Sequence, residues 1–382
     1  MQNASAQNGT RQAVVGLSLS LIFVFLVFFN GNRLGAVASK AAAAGASIEE
    51  PKAAASYISR SFSKSDDTKI EAFSASEAEP DKKTETVVQT VAPAQYETPA
   101  DILKMAEEYQ KKYKDASHTG EIKEIHYSSS NANVKSGSVF VKNTTSSHSL
   151  NIKSILSKRA TLKIEDKSKP SVLIFHTHTT ESYEMADNGW YTSKYATRSE
   201  NPDRNMVRVG NAIEKELTNA GFSVIHDTTV HDLQYNGAYS RSRKTVEKIL
   251  RENPSIQVVL DVHRDAIYQQ DGTHIKTSAE INGKKSAQVM IIAGCVDGDV
   301  EDFPRWEENL VFALQLHKTA EDSYKGIMRP ILFCNRKYNM DVTPCSLLLE
   351  FGSDSNTLDE AVYAGSLMGK SLALLLEDYV EK

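Results

Sequence analysis

From Pro170 onward the chain alternates between short, continuously apolar runs and segments whose apolar residues recur every three or four positions. The run 171–175 predicts a buried strand. Met206, Val209, Ile213 and Leu217 share one helical face, Gly221 stops that helix, and 222–225 predicts the next strand. The pattern repeats through a helix carrying Val246, Ile249 and Leu250, a strand over 256–262 and a strand over 287–292. A long helix around 310–320, a strand over 346–349 and a terminal helix through Leu358, Ala361, Val362, Met368, Leu372 and Leu375 complete it. Strands alternating with helices predict an α/β domain of three layers with a mostly parallel, twisted sheet. Ligands of such sheets bind beyond the carboxyl ends of the strands.

Three strand ends are chemically loaded. The first continues as His176-Thr177-His178-Thr179-Thr180-Glu181, the third carries Asp261, His263, Arg264 and Asp265, and the last reaches Glu350 and then Asn356. His176 and His178 are two apart, so on an extended backbone both imidazoles point the same way. Two histidines followed by an acid supply the nitrogen and oxygen ligands that zinc prefers. Glu350 follows the apolar run 347–349, where a carboxylate is costly to bury unless it is paired, with a base such as Arg264, or used in chemistry. Asp261 or Asp265 can hold the His263 imidazole as a neighbouring carboxylate. His226 ends a strand without a second ligand near it, and His118, His126, His148, His231, His274 and His317 are expected at the surface. No GxSxG elbow, Walker loop, Rossmann fingerprint or HExxH helix is present.

Upstream, residues 13–29 form an almost unbroken apolar run behind Arg11. At about 1.5 Å per residue it barely spans a hydrocarbon core of about 30 Å. It reads as an uncleaved anchor, against a signal peptide cleaved near Ala36-Val37-Ala38, for which it is long. Residues 36–99 are rich in Ala, Ser, Thr, Glu, Lys and Pro with no sustained period, the composition of a disordered tether. The expected organisation is a cytoplasmic tip and transmembrane anchor over 1–35, that tether, a helix and small β-rich subdomain over 100–169, and the catalytic domain over 170–382. A net charge of −5 gives no reason to expect a nucleic-acid partner. Three cysteines without CxxC spacing exclude a disulfide framework and a thiolate zinc site, which leaves His and carboxylate for any metal.

At these residues the chain resembles the stage II sporulation protein P family of endospore-forming bacteria, membrane-anchored cell-wall hydrolases. The likeness runs over about residues 139–374, through FVKNTT at 140–145, HTHTTESY at 176–183, YSRS at 239–242, DVHRD at 261–265, EEN at 307–309 and LLEFGSDSNTLDEA at 348–361. The family is similar to zinc-dependent N-acetylmuramoyl-L-alanine amidases, whose strand-end motifs have the form PGHGG, SxHxN and LxExGFxSN. The resemblance implies an amidase-like fold and cleavage of the amide between N-acetylmuramic acid and L-alanine, with some endopeptidase activity on cross-links. It implies zinc on His178, His263 and Glu181, with Glu184 and Glu200 the runners-up to Glu181; His176 replaces the proline of PGH, has no counterpart there, and is open to three roles, a fourth ligand, a substrate contact or a group that supports a ligand. Glu350 takes the place of the catalytic glutamate. Arg264, expected at the rim, would meet the oxyanion or a peptide carboxylate, and Asn356 and Asp265 would contact substrate. The setting implied is septal wall degradation and engulfment during sporulation, with the domain held outside the cytoplasm in the intermembrane space of the sporangium. A lytic transglycosylase and a polytopic membrane protein are the implied partners. A non-catalytic wall-binding scaffold and a metallo-β-lactamase-type zinc hydrolase are the competing readings, the latter lacking the Asp-His of HxHxDH.

Overall fold

The structure, a computed structural model, describes residues 96–381. The apolar run 13–29 and nearly all of the expected tether lie outside the described residues. Among the described residues no helix is long and apolar enough to cross a membrane. Helix α1 (Ala100–Tyr113) starts after Pro99 and buries Ile102 and Tyr109. Strands β1 (Gly120–Ile125), β2 (Val134–Ser136) and β3 (Val139–Asn143) follow, then the short α2 (Ile152–Leu156). The alternating region supplies β4 (Pro170–Phe175), the two-residue β5 (Trp190–Tyr191), α3 (Met206–Asn219), β6 (Ser223–His226), α4 (Ala238–Glu252) and β7 (Val258–Asp265). The chain ends through β8 (His274–Ile281), β9 (Lys284–Ala287), β10 (Val289–Gly294), α5 (Trp306–Ser323), β11 (Ile331–Cys334), β12 (Cys345–Ser353) and α6 (Leu358–Glu377).

Eight strands form the main sheet in the order β2-β3-β11-β10-β12-β7-β4-β6. It is mixed: β12, β7, β4 and β6 run parallel, β10, β11 and β3 form a second parallel block, and the blocks meet at the antiparallel β10–β12 pair. A second sheet has the order β5-β1-β8-β9. The segment expected as a separate subdomain is woven into both sheets, because β3 pairs with β11 and β1 pairs with β8. All described residues accordingly fall in one compact unit.

Period-2 alternation decides which residues face which layer. Val258, Leu260 and Val262 of β7, Val172 and Ile174 of β4, and Leu347, Leu349 and Phe351 of β12 join one core with α3, α5 and α6. The intervening Leu173, Phe175 and Val259 pack with Val246 of α4 on the other face. Each fully buried aliphatic side chain of this kind stabilises the fold by about 1.5–3 kcal/mol. Asp261, His263, Asp265 and Glu350 share the α4 face, and Arg264 projects to the opposite one.

Candidate active site

The three loaded strand ends lie side by side, with Phe175 opposite Asp261, Leu348 opposite Asp261, and Glu350 opposite His263. Beyond Phe175 the backbone leaves the strand and turns. Glu181 N donates to His178 O over 3.1 Å, and Thr179 Oγ1 to His176 O over 3.0 Å. The turn breaks the two-residue alternation, so the two histidines part. His176 is buried behind the site, its Nδ1 2.9 Å from Val262 O and its Nε2 2.9 Å from His226 Nε2. Burial, helped by His226, drives its pKa down to about 3, so the ring is neutral. Val262 O can only accept, so Nδ1 carries the proton, and Nε2 faces His226 Nε2, whose ring turns its Nδ1 to Glu214 Oε2 at 3.2 Å. Both ring nitrogens thus meet protein atoms, where the expectation was of a metal ligand. Helix α3 crosses this pair at Gly210, where a Cβ would stand 2.4 Å from His226 Nε2 and 2.9 Å from His176 Nε2.

His178 and His263 do come together. Their ring centroids are 5.5 Å apart at 77°, and His178 lies flat on Tyr235 at 4.6 Å. His178 Nδ1 is 3.8 Å from Asp232 Oδ2, a carboxylate already held by Thr180 N, Thr180 Oγ1 and Arg198 Nη1 at 3.1, 2.7 and 2.8 Å. His263 Nδ1 is 3.5 Å from Glu181 Oε2, and its Nε2 is 2.7 Å from Asp261 Oδ1, off the line of a ring N–H bond. Asp261 itself accepts from Thr177 N and Oγ1 at 2.9 and 2.7 Å. All four ring nitrogens are buried without a hydrogen-bond partner. Burial disfavours a charged His263, but Asp261 and Glu181 outweigh it and raise its pKa well above the ordinary value. Burial likewise opposes ionisation of Glu181, yet Arg264 and His263 hold its carboxyl below the usual range. The local field therefore favours a positive charge between these side chains. Among the described residues, no group of three His, Cys, Asp or Glu side chains already stands in an arrangement that would hold a metal ion.

Glu350 is buried on the same face as His263. Its Oε2 has no hydrogen-bond partner, and no base lies within ion-pairing distance among the described residues. Burial, then Asp265 and Glu181, push its pKa up to about 8 against the opposing charges of His263 and Arg329.

Arg264 stands elsewhere than the expected rim. It is buried on the far face, and its Nε, Nη1 and Nη2 donate to Ser182 O, Asp265 O and Thr197 O at 3.1, 3.3 and 2.9 Å. It clamps the loop after β4 to β7 and makes no ion pair with Glu350. Asp265 is buried too, its Oδ2 paired at 3.0 Å with the fully buried Arg329 and its Oδ1 accepting from Ala266 N. Asn356 is spent as a staple between the β12–α6 turn and β8. Its Oδ1 accepts from Ser353 N and Thr277 N, and its Nδ2 donates to Thr277 O and Glu360 Oε2. Both side chains expected at the substrate are thus engaged within the protein. Among the other acids weighed as ligands, Glu200 is exposed, and Glu184 is buried against Tyr109, whose hydroxyl donates to it at 2.9 Å.

Burial raises the Glu184 pKa from 4.5 to about 7. The fold thus favours its neutral form, so its contribution to stability is complete below about pH 4.5 and is lost as the pH rises through about 7. Glu184→Gln is expected to melt with the wild type near pH 4 and above it near pH 8, with turnover unchanged, as thermal melts at the two pH values will read. A lower melting temperature at both would contradict this.

The assembled site can be set beside known proteins. The stage II sporulation protein P (SpoIIP) family matches residues 62–373. The chain belongs to this family. It is 32% identical over 204 residues to stage II sporulation protein P of Bacillus subtilis (strain 168), a match that takes in 50% of this chain and 47% of the relative. The chain thus matches about half the length of that curated relative. Two solved structures similar to it are an N-acetylmuramoyl-L-alanine amidase from Clostridium difficile 630 and the catalytic domain of CwlV, an N-acetylmuramoyl-L-alanine amidase from Bacillus (Paenibacillus) polymyxa var. colistinus. The first is 15% identical, with 56% of this chain and 97% of that chain covered and a TM-score of 0.32. The second is 13% identical, with 55% and 97% covered and a TM-score of 0.33.

Sequence reasoning on this SpoIIP-family chain missed four residues around the histidines. Asp232 and Tyr235 come from the loop before α4, and Arg329 from the loop after α5. Tyr239 belongs to the YSRS segment, which had carried the likeness to the family without being given a role. Adjacent to Asp232, His231 was expected at the surface, yet it is buried against His176 O and Thr245. His317 is likewise buried, edge-on to Phe140.

Proposed function

We propose that this SpoIIP-family chain is a zinc-dependent peptidoglycan hydrolase that cleaves the amide between N-acetylmuramic acid and L-alanine, acting in septal wall degradation and engulfment during sporulation. The observation that carries the reading is the pair of buried imidazoles of His178 and His263, none of whose ring nitrogens makes an aligned hydrogen bond although carboxylates face three of them, beside a Glu350 whose Oε2 has no partner. Each unsatisfied buried polar group costs about 1–3 kcal/mol, so such a concentration is poorly explained by stability. The donor set fits zinc: two imidazoles and the ionised Glu181 would hold it, and Asp232 and Asp261 would orient the imidazoles. Zinc bound there supplies a polarised scissile carbonyl and a water acidic enough to react near neutral pH.

The remaining chemistry falls to the chain's own groups. Glu350 takes the proton of the attacking water at its free Oε2 and returns it to the departing amine nitrogen. Burial raises its pKa above that of an ordinary carboxyl, which favours handing the proton on to nitrogen once it has been taken. Arg264 keeps the turn bearing Glu181 against β7, and burial of the site excludes bulk water. The apolar run 13–29 would hold the domain at the membrane on its outer side, where the wall substrate lies.

Digestion of purified peptidoglycan by the zinc-loaded chain tests the reading. The expected products are peptides with new L-alanine amino termini and glycan strands with free lactyl carboxylates, identified by mass, and a chelator should abolish them. Metal-loaded protein that binds sacculi without releasing fragments would leave a scaffold, and release of cleaved cross-links alone would make it an endopeptidase.

A further inference from the structure

We infer that the hydroxyl of Tyr239 is a catalytic hydrogen-bond donor, placed to meet the oxyanion that develops on the scissile carbonyl; the role rests on the hydrolase reading above. Tyr239 sits in the first turn of α4, with its ring parallel to His263 at 6.3 Å and 11° and edge-on to His178 at 5.7 Å and 88°. Tyr338 closes the other side of the stack at 5.0 Å. The residue is 7% exposed, and its hydroxyl is buried with no partner. A phenylalanine would fill the same space without leaving a buried hydroxyl unsatisfied, a cost of about 1–3 kcal/mol. None of the carboxylates near it, Asp261, Glu350 and Glu181, accepts from the hydroxyl.

Its position is fixed by the network that fixes the histidines. Tyr239 O accepts from Ser242 Oγ at 3.1 Å and from Asn339 Nδ2 at 3.2 Å. Ser242 Oγ meets Thr177 Oγ1 at 2.8 Å, and Thr177 is bound to Asp261, the carboxylate beside His263. These bonds anchor the backbone that carries the ring, and the rings of His263 and Tyr338 lie nearly parallel to it, so little reorganisation is needed when charge develops, which is the condition for strong electrostatic stabilisation. In the step itself the water oxygen bonds to the carbonyl carbon, Glu350 takes the water's proton, and the carbonyl π electrons move onto oxygen. Tyr239 donates a hydrogen bond to that oxygen without giving up its proton. Collapse then re-forms the carbonyl, breaks the C–N bond and moves the proton from Glu350 to nitrogen.

Tyr239→Phe in the full, zinc-loaded chain tests this, with turnover measured on soluble peptidoglycan fragments. The expected result is a kcat lower by roughly 10²-fold to 10³-fold, as for other single oxyanion donors, with KM, zinc content and melting temperature unchanged. A fully active Phe variant beside an active wild type overturns the role, and so does loss of zinc together with activity, which would make the phenol a ligand. A wild type that is zinc-loaded and inactive overturns the hydrolase reading and this role with it.

Discussion

A chain carrying both His178→Ala and His263→Ala is expected to lose its zinc and its turnover while keeping its fold. The core that holds the domain together lies in the packing of β4, β7 and β12 against α3, α5 and α6, on the far face from these rings. Removing the rings also leaves no carboxylate stranded. Asp232 keeps Thr180 and Arg198, Asp261 keeps Thr177, and Glu181 keeps the Arg264 backbone amide and the Arg198 guanidinium. The rings make no aligned hydrogen bond of their own and only flank these carboxylates, so each substitution is expected to cost no more than an ordinary large-to-small core substitution, about 2–5 kcal/mol. His176→Ala should behave in the opposite way. It breaks bonds to Val262 and His226 and opens a void under α3, so it should lower the melting temperature and leave zinc in place. Metal analysis and thermal melts on the three proteins decide the matter, and full zinc occupancy in the double variant would put the metal elsewhere.

The strand ends were legible in the sequence because strands buried on both faces leave continuous apolar runs, and a polar residue at the end of such a run stands out. β4, β7 and β12 are of this kind. The β8–β9 hairpin hid behind its polar character: Lys276 is fully buried there because Asp187 and Glu360 meet its ammonium at 2.8 and 2.9 Å. Its turn, Asn282-Gly283 with φ of 52° and 75°, is a hairpin signal that alternation-seeking overlooks. The antiparallel entry of β10 left no local mark at all, since strand direction is settled by connections and not by composition. The site divides along the same line. His263 and Glu350 followed from strand periodicity, and that periodicity also puts Arg264 on the opposite face from His263, away from the rim. His176 parted from His178 because the strand stops at Phe175. Asp232, Tyr239 and Arg329 come from loops and a helix start, where no period announces which side chain turns inward.

The same division between packing and chemistry meets in Glu350, where Glu350→Gln is expected to lower turnover by roughly 10²-fold to 10⁴-fold, the usual contribution of a positioned general base. The amide matches the acid in size and can still hydrogen-bond, so zinc and sacculus binding should persist. What disappears is the ability to accept the water's proton. Stability separates this from a structural role, and its sign can be worked out. The pKa of Glu350 is raised from 4.5 to about 8, chiefly by burial, so the folded state favours the neutral carboxyl. That contribution is complete below about pH 4.5 and is lost as the pH rises through about 8. A glutamine is neutral throughout. Metal-free Gln variant should therefore melt no lower than metal-free wild type near pH 4 and increasingly above it toward pH 8, while the zinc-loaded variant stays almost inactive. A carboxylate retained as a structural ion-pair partner would give the reverse, because replacing it strands a buried cation and lowers the melting temperature across that range. Arg329 is the arginine whose charge reaches it, and its guanidinium is already bound to Asp265. A stable, zinc-loaded and fully active Gln variant would remove Glu350 from the mechanism and leave Glu181 next in line as the base.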